Sequence, residues 1–301
     1  MPTAESRGLV SVMQRAYVAV VGQAAIDPDA FNAFEAGGWE EKAAGYDRFF
    51  GRITGQLVEP LLDAASVGPG TRMLDLATGP GYVAARGAER GASVVGVDVA
   101  GAMVSLARRL HPELDFRQAD AHELPFDDAS FDAVVGNFLI LHLGRPDQAM
   151  AGFVRVLGPG GRLALTAWDQ PEHARFLGVF LDAVAEAGAT PPEDLPTGPD
   201  FFRFSSDEEF DALMREHGLE KRAVRTIAFT HRVATADELW DGLLGGTVRT
   251  SALIERQPEE TRRRIRDAFD RLVRGYQRGN VLELPVSVKL AAGRKPGESQ
   301  P

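Results

Sequence analysis

Met73 to Val83 reads MLDLATGPGYV, and no other stretch restricts the fold of this chain so strongly. An apolar strand candidate carrying an acidic residue, Asp75, runs directly into the turn Thr78-Gly79-Pro80-Gly81 and then into a helical pattern. Glycines at such a turn let the backbone reach positive φ and let a ligand approach without a Cβ in the way. The unit by itself does not choose the ligand, because Gly79-x-Gly81-x-x-Ala84 also matches the dinucleotide fingerprint.

The pattern then repeats. Apolar or β-branched runs at Thr71–Leu76, Ser93–Asp98, Leu114–Asp120, Phe131–Phe138 and Arg162–Trp168 alternate with helical stretches at Tyr82–Arg90, Ala100–Leu110 and Pro146–Leu157. The last stretch opens on a proline suited to a first helical turn. It stops at Gly158-Pro159-Gly160-Gly161, a strong breaker. This alternation predicts an α/β fold, a parallel sheet with helices on both faces.

Beyond Trp168 the pattern loosens. Helices are expected at Arg175–Ala187, Ser206–His217, Thr235–Leu244 and Pro258–Tyr276, and strands at Glu220–Phe229 and Leu282–Ala291. In the fourth helix Ile265, Phe269, Leu272, Val273 and Tyr276 share one face. A final strand reached only after a long helical insert suits a seven-stranded sheet whose last strand is antiparallel. The expected organisation is a helical cap over 1–67, a nucleotide-type core over 68–169, sheet completion with a helical substrate lid over 170–293, and a disordered tail over 294–301. Leu9–Ile26 reads as an amphipathic helix packed on the body. It is too polar to span a bilayer comfortably and lacks the pattern of a cleaved leader.

The formal net charge of −10 argues against a general nucleic-acid binder. The run Arg262, Arg263, Arg264 and Arg266 reads as the wet face of a helix. With no cysteines, disulfides, thiolate nucleophiles and cysteine-ligated zinc are excluded, which fits a cytoplasmic location. No histidine–carboxylate spacing suits a metal, so none is expected. The oligomeric state leaves no trace in the sequence.

The surroundings of the glycine turn decide its reading. Asp98 ends the second strand, where a carboxylate can accept from both ribose hydroxyls. Asp120, followed by Ala121, ends the third, where an adenine amino group can be read. Together LDLATGPGY (74–82), VVGVDVAGAM (94–103), ADAHELPFDDASFD (119–132) and VLGPGGRLALTAW (156–168) resemble the class I S-adenosylmethionine-dependent methyltransferases. The resemblance is to the branch holding the ubiquinone and menaquinone biosynthesis enzymes and many small natural-product methyltransferases, and it covers about Glu40 to Asp169. It implies a Rossmann-like sheet, S-adenosylmethionine as cofactor and S-adenosylhomocysteine as product. It further implies that Asp75 and the backbone of Ala77, Thr78, Gly79 and Gly81 hold the amino-acid end of the cofactor. Asp98 would take the ribose, Val99 and Met103 would sandwich the adenine, and Asp120 with Ala121 would fix its edge. Asn137 and Phe138 would line the methyl-transfer mouth, and Tyr46 would cap the cofactor with Trp39 nearby.

Methyl transfer from a sulfonium is an in-line displacement in which the protein mainly aligns the reactants and excludes water. A base is needed only when the acceptor must lose a proton. The candidates are His142, Asp169, Glu172 and His173, with His142 preferred because it follows the mouth directly. His231, after the sixth strand, and His217, before a helix-stopping glycine, fit packing and helix-end roles. The expected partner is a small, largely apolar acceptor held by Phe31, Phe34, Trp39 and Phe49 of the cap and Phe176, Phe180, Phe201, Phe202 and Trp240 of the insert. Arg203, Arg225 and Arg249 are candidates for contacting an anionic group on it. Whether oxygen, nitrogen or carbon is methylated stays open. So do two other functions, a cofactor-binding protein that does not methylate and a nicotinamide-dependent oxidoreductase.

Overall fold

β1 (Arg72–Leu76) lies inside a sheet whose main path runs β3 (Asp115–Gln118), β2 (Ser93–Asp98), β1, β4 (Phe131–Gly136), β5 (Leu157–Trp168), β8 (Val281–Arg294), β6 (Glu220–Val233). The computed structural model describes residues 26–297. The helix expected at Leu9–Ile26 therefore falls almost wholly outside the described residues. β2, β3, β4 and β5 pair in parallel around β1. β8 runs antiparallel to both its neighbours, β5 and β6. The seven-stranded path with one reversed final strand is thus the expected one. A two-residue β7 (Gln277–Arg278) pairs with the start of β8.

Side-chain alternation divides the core into two layers. Leu74, Leu76 and Val134 pack into one layer, and Met73, Ala133 and Val135 into the other, as a period of two demands. The second layer is closed by α2 (Val58–Ala64), α3 (Tyr82–Glu89) and α4 (Gly101–Leu110). The first is closed by α5 (Pro146–Val156), α6 (Arg175–Glu186), α7 (Asp207–Glu216) and the helices of the insert. Those are α8 (Ala236–Gly246), α9 (Arg249–Glu255) and α10 (Glu259–Val273). α9 was not expected; at seven residues it is too short for a helical period to stand out.

Two expectations need correction. α5 does end just before Gly158-Pro159-Gly160-Gly161, at Val156, but the four residues lie within β5 and do not precede it. There Phe131 pairs with Leu157 and Ala133 with Arg162, so the glycines form a bulge with Gly160 at φ 76°. The tail expected from Arg294 onward is ordered at its start. Arg294 ends β8, Lys295 N–H donates to Gly161 O (2.8 Å), and Lys295 Nζ donates to Val154 O and Leu157 O. The arginines of α10 do form its wet face, since Arg263, Arg264 and Arg266 pair with Glu259, Glu260 and Asp270 one turn away.

α1 (Pro28–Thr54) lies across the strand ends and ties core to insert. Asp27 caps it by accepting from Asp29 N–H and Ala30 N–H. Glu40 accepts from Ala102 N–H in the first turn of α4, where negative charge is favoured. Asn32 accepts from Gly144 N–H, and Lys42 Nζ donates to Leu244 O. The crossing with α8 needs a glycine, because a Cβ on Gly45 would lie 1.9 Å from Gly245 O. Gly45→Ala is therefore expected to force the helices apart and destabilise the fold by about 1–3 kcal/mol. A thermal unfolding scan with an unshifted midpoint would show that α1 and α8 do not meet this closely.

Candidate functional site

The chain crosses from β3 back to β4 beside β1, so the carboxyl ends of β1 and β4 diverge. Open α/β sheets bind ligands in the crevice at such a switch point. Here the segments following β1, β2, β3 and β4 line one open-mouthed cavity of about 1120 Å3, its mouth included, and α1 roofs it. Its wall contains Tyr46, Ala77, Thr78, Gly79, Asp98, Val99, Met103, Asp120, Ala121, Asn137, Phe138 and His142. Twelve of the fourteen expected site residues therefore converge, and Asp75 and Gly81 do not.

Asp75 stands aside because of strand alternation. It points to the same face as Met73, beneath α3, and its Oδ2 accepts from Thr78 Oγ1–H (2.6 Å) and Ala84 N–H (3.1 Å). It braces the glycine turn from behind, and burial pushes its carboxyl up to about 7. Gly81, at φ 86°, packs close to the protein itself. A Cβ there would meet Phe116 Cζ at 2.8 Å and His111 Cδ2 at 3.1 Å. Gly79, at φ 54°, is the opposite case, since a Cβ would meet only Tyr46 Cε1, at 3.9 Å, and would project into the cavity.

Asp98 is buried, with Oδ2 accepting from Gly79 N–H (2.9 Å) and Oδ1 from Ala100 N–H (3.0 Å). Burial pushes its carboxyl up to about 6, against the opposing pull of these backbone donors. A buried carboxylate beside a glycine cradle suits a vicinal diol, and the apolar Val99, Met103 and Ala121 suit a flat heterocycle next to it. Asp120 Oδ1 accepts from His122 N–H and lies 2.8 Å from His122 Nδ1. The bond to His122 holds Asp120 below the ordinary carboxylate range. His122 Nε2 is buried without a partner among the described residues. The residues present thus fit an adenosyl group on chemistry as well as shape.

Tyr46 meets Trp39 edge-on (5.6 Å) and donates to Thr54 Oγ1 (3.2 Å), and burial pushes its hydroxyl up to about 12. Asn137 spends both ends of its amide on the scaffold, donating to Thr54 O (3.1 Å) and accepting from Thr166 Oγ1–H (2.7 Å). Phe138 is held at φ 61°, with its N–H on Thr166 Oγ1 and its ring stacked on Trp168 at 3.9 Å. For a bulky residue that backbone costs about 1–3 kcal/mol, and such strain clusters at functional sites.

His142 ends the 3-10 turn Ile140–His142. Its Nδ1 lies 3.0 Å from Glu35 Oε2, and the same oxygen accepts from Trp39 Nε1–H (3.0 Å). Glu35 is only 3% exposed, and its Oε1 has no partner among the described residues. Glu35 and His122 both line the cavity, although neither is among the site residues expected from the sequence.

The other base candidates lie away from the cavity. Asp169 is buried on Ser287 Oγ–H (2.7 Å) and His173, while His173 is largely exposed. Glu172 is also absent from the wall. His231 falls within β6, not after it, and faces Phe49. His217 bonds Leu213 O and Asp147 O at the end of α7, the helix-end role expected of it. Of the aromatics expected to hold an acceptor, only Trp39 reaches the wall. Phe31, Phe176 and Phe180 are fully buried, Phe49 and Phe202 nearly so, and Trp240 stacks on Phe180. Phe34 lies under Arg256, whereas Phe201 comes within 6.1 Å of the His142 ring. Arg203 pairs with Glu209, Arg225 donates to Pro60 O, and Arg249 donates to Pro199 O between Phe31 and Phe201. None of the three lines the cavity.

A family model described as a methyltransferase domain matches residues 74–165. A demethylmenaquinone methyltransferase of Renibacterium salmoninarum is 35% identical over 42% of this chain, and the chain spans 54% of that relative, about half its length. The ubiquinone/menaquinone biosynthesis C-methyltransferase UbiE of Brucella anthropi is 31% identical over 59% of this chain and 73% of that protein. Among solved structures, the YcgJ protein of Bacillus subtilis matches with a TM-score of 0.52 at 20% identity, over 80% of this chain and 98% of that one. That last likeness supports the same fold.

Proposed function

The chain belongs to the class I S-adenosylmethionine-dependent methyltransferases of the ubiquinone/menaquinone type, and from that premise we propose that it methylates a small, largely apolar acceptor carrying a hydroxylated ring. The observation that carries the proposal is the convergence of Asp98, the Gly79 cradle, Asp120 and His142 on one cavity. When bound, S-adenosylmethionine supplies an electrophilic methyl group and becomes S-adenosylhomocysteine.

In this reading Asp98 accepts from the ribose hydroxyls. Ala77, Thr78 and Gly79 approach the amino-acid end through their backbone. Val99, Met103 and Ala121 enclose the adenine, while Asp120 and His122 meet its polar edge. Tyr46 and Trp39 roof the cavity and exclude water. His142 Nε2, the ring nitrogen turned away from Glu35, takes the acceptor's proton. That proton transfer would free an electron pair on the acceptor for the methyl group that the cofactor, when bound, would supply. A hydroxylated ring is favoured because methylation of its oxygen or its carbon requires a proton to leave, and because the relatives are named for quinone substrates.

The test is calorimetric titration with S-adenosylmethionine, S-adenosylhomocysteine and NADH in parallel, followed by incubation with a dihydroxynaphthalene and mass spectrometry. Binding of the first two and a mass gain of one methyl group are expected. Binding of NADH alone would replace the proposal by the oxidoreductase reading. Cofactor binding without methylation of any hydroxylated ring would favour a non-methylating use of the cofactor.

A further inference from the structure

Glu35 is a carboxylate inside the cavity wall whose burial calls for an explanation. A buried carboxylate is costly unless its oxygens are paired. Oε2 has two neighbours, Trp39 Nε1–H at 3.0 Å and His142 Nδ1 at 3.0 Å, while Oε1 has none among the described residues. The imidazole is clamped on its other sides. Trp39 stands edge-on to it at 5.1 Å and Phe201 at 6.1 Å. The ring is thus held in place, with Nδ1 committed to Glu35 of α1, and the residue lines the cavity.

We infer that Glu35 is the positioning carboxylate of His142: as an acceptor it holds the proton on Nδ1, leaving the Nε2 lone pair in the cavity to receive a proton from the acceptor. A second group commonly fixes the tautomer and orientation of a histidine base in this way. The consequence is specific, because a free neutral imidazole carries its proton mainly on Nε2, which would block it as a base. When Nε2 takes the acceptor's proton, the buried Glu35 faces the resulting imidazolium across a charge-assisted bond. No proton need move to Glu35. Trp39 donates to the same oxygen and holds the carboxylate in line with the ring. The inference rests on the reading of His142 as the base.

Nitrogen-15 spectra of the histidine rings test it without any acceptor. The chain has six histidines, and His142→Gln assigns the resonance. In the wild-type protein, followed until the ring carries a single proton, the Nδ1–H form is expected. Glu35→Leu fills the space without accepting, so the ring should revert mainly to the Nε2–H form, with affinity for S-adenosylhomocysteine unchanged within about twofold. Trp39→Phe removes one donor and keeps the acceptor, and should retain the Nδ1–H form. With a dihydroxynaphthalene as probe, Glu35→Leu should lower kcat by about tenfold or more at little change in KM for S-adenosylmethionine. An Nε2–H ring in the wild type, or an Nδ1–H ring that survives Glu35→Leu, overturns the inference. Unchanged turnover in His142→Gln overturns the reading of the base instead, whatever the tautomer, so the two failures are separable.

Discussion

Asp98→Ala is expected to weaken S-adenosylhomocysteine binding by about 100-fold or more. Two hydrogen bonds to an ionised acceptor, at about 1.5 kcal/mol each or more, account for that factor. The substitution also leaves Gly79 N–H and Ala100 N–H without the acceptor they have now. The pH dependence gives a second handle. Burial raises Asp98 from the ordinary 3.8 to about 6, so in the ligand-free protein it is protonated below about pH 6. Ribose hydroxyls donate more strongly to the ionised form and so draw the value back down. Binding therefore releases a proton between about pH 4 and 6, and affinity falls as pH drops through that window, by up to about 100-fold. Asp98→Asn should bind weakly and flatten the curve. Stability follows the opposite sign: a folded-state value above the unfolded one gives a contribution present in full below about pH 4. It is lost as pH rises through about 6, so the ligand's thermal shift should grow across the window. Asp75, raised to about 7 mainly by burial and in small part by the Asp98 charge, adds a slope of the same sign, so most of its share should persist in Asp98→Asn. Unchanged calorimetric affinity in Asp98→Ala would remove the ribose assignment.

The core was legible because its constraints are local. The strand, the glycine turn and the acidic residues at successive strand ends each occupy a few adjacent positions, and the topology then forces those ends together. Asp75 shows the limit of that logic. It sits in the same motif, yet a period of two turns it beneath α3, and only its partner Ala84 N–H reveals this. Gly81 shows the same limit, because a glycine required by a ligand and one required by Phe116 look alike in a sequence.

The cap and insert were less legible. A phenylalanine lining a pocket and one filling a core have the same pattern, so the sequence does not show that Phe31 packs under Arg249, Phe176 against Phe50 and Trp168, and Phe180 against Trp240 and Phe269. Arg249 was assigned to an anion, but its guanidinium lies between two aromatic rings. Glu35 was missed because glutamate on a long helix reads as solvated surface. A signal was present all the same: Phe31, Glu35 and Trp39 are spaced by four, which puts the carboxylate on the apolar face of α1. Its partner lies 107 residues away, and nothing local could pair the two.

His142→Gln is expected to lower turnover of a hydroxylated ring by about 100- to 10,000-fold, the range a positioned base supplies. Affinity for S-adenosylhomocysteine should stay within about twofold. The separation follows from where the side chain acts. The residues proposed to hold the cofactor lie at or after the ends of β1, β2 and β3, whereas His142 follows β4, with Nδ1 on Glu35 and the residue in the cavity wall. Losing the imidazole removes the proton's destination and leaves the cofactor's contacts in place. A ring that only packs predicts a different result. Glutamine has similar bulk and can still reach Glu35, so a packing role would give a loss of a few-fold at most, shared between kcat and KM. An acceptor whose proton has already dissociated sharpens the contrast. A ring bearing electron-withdrawing groups, ionised at the assay pH, needs no base and should lose far less rate in His142→Gln than the parent ring. Equal losses on both rings would mean that His142 aligns the acceptor without taking its proton.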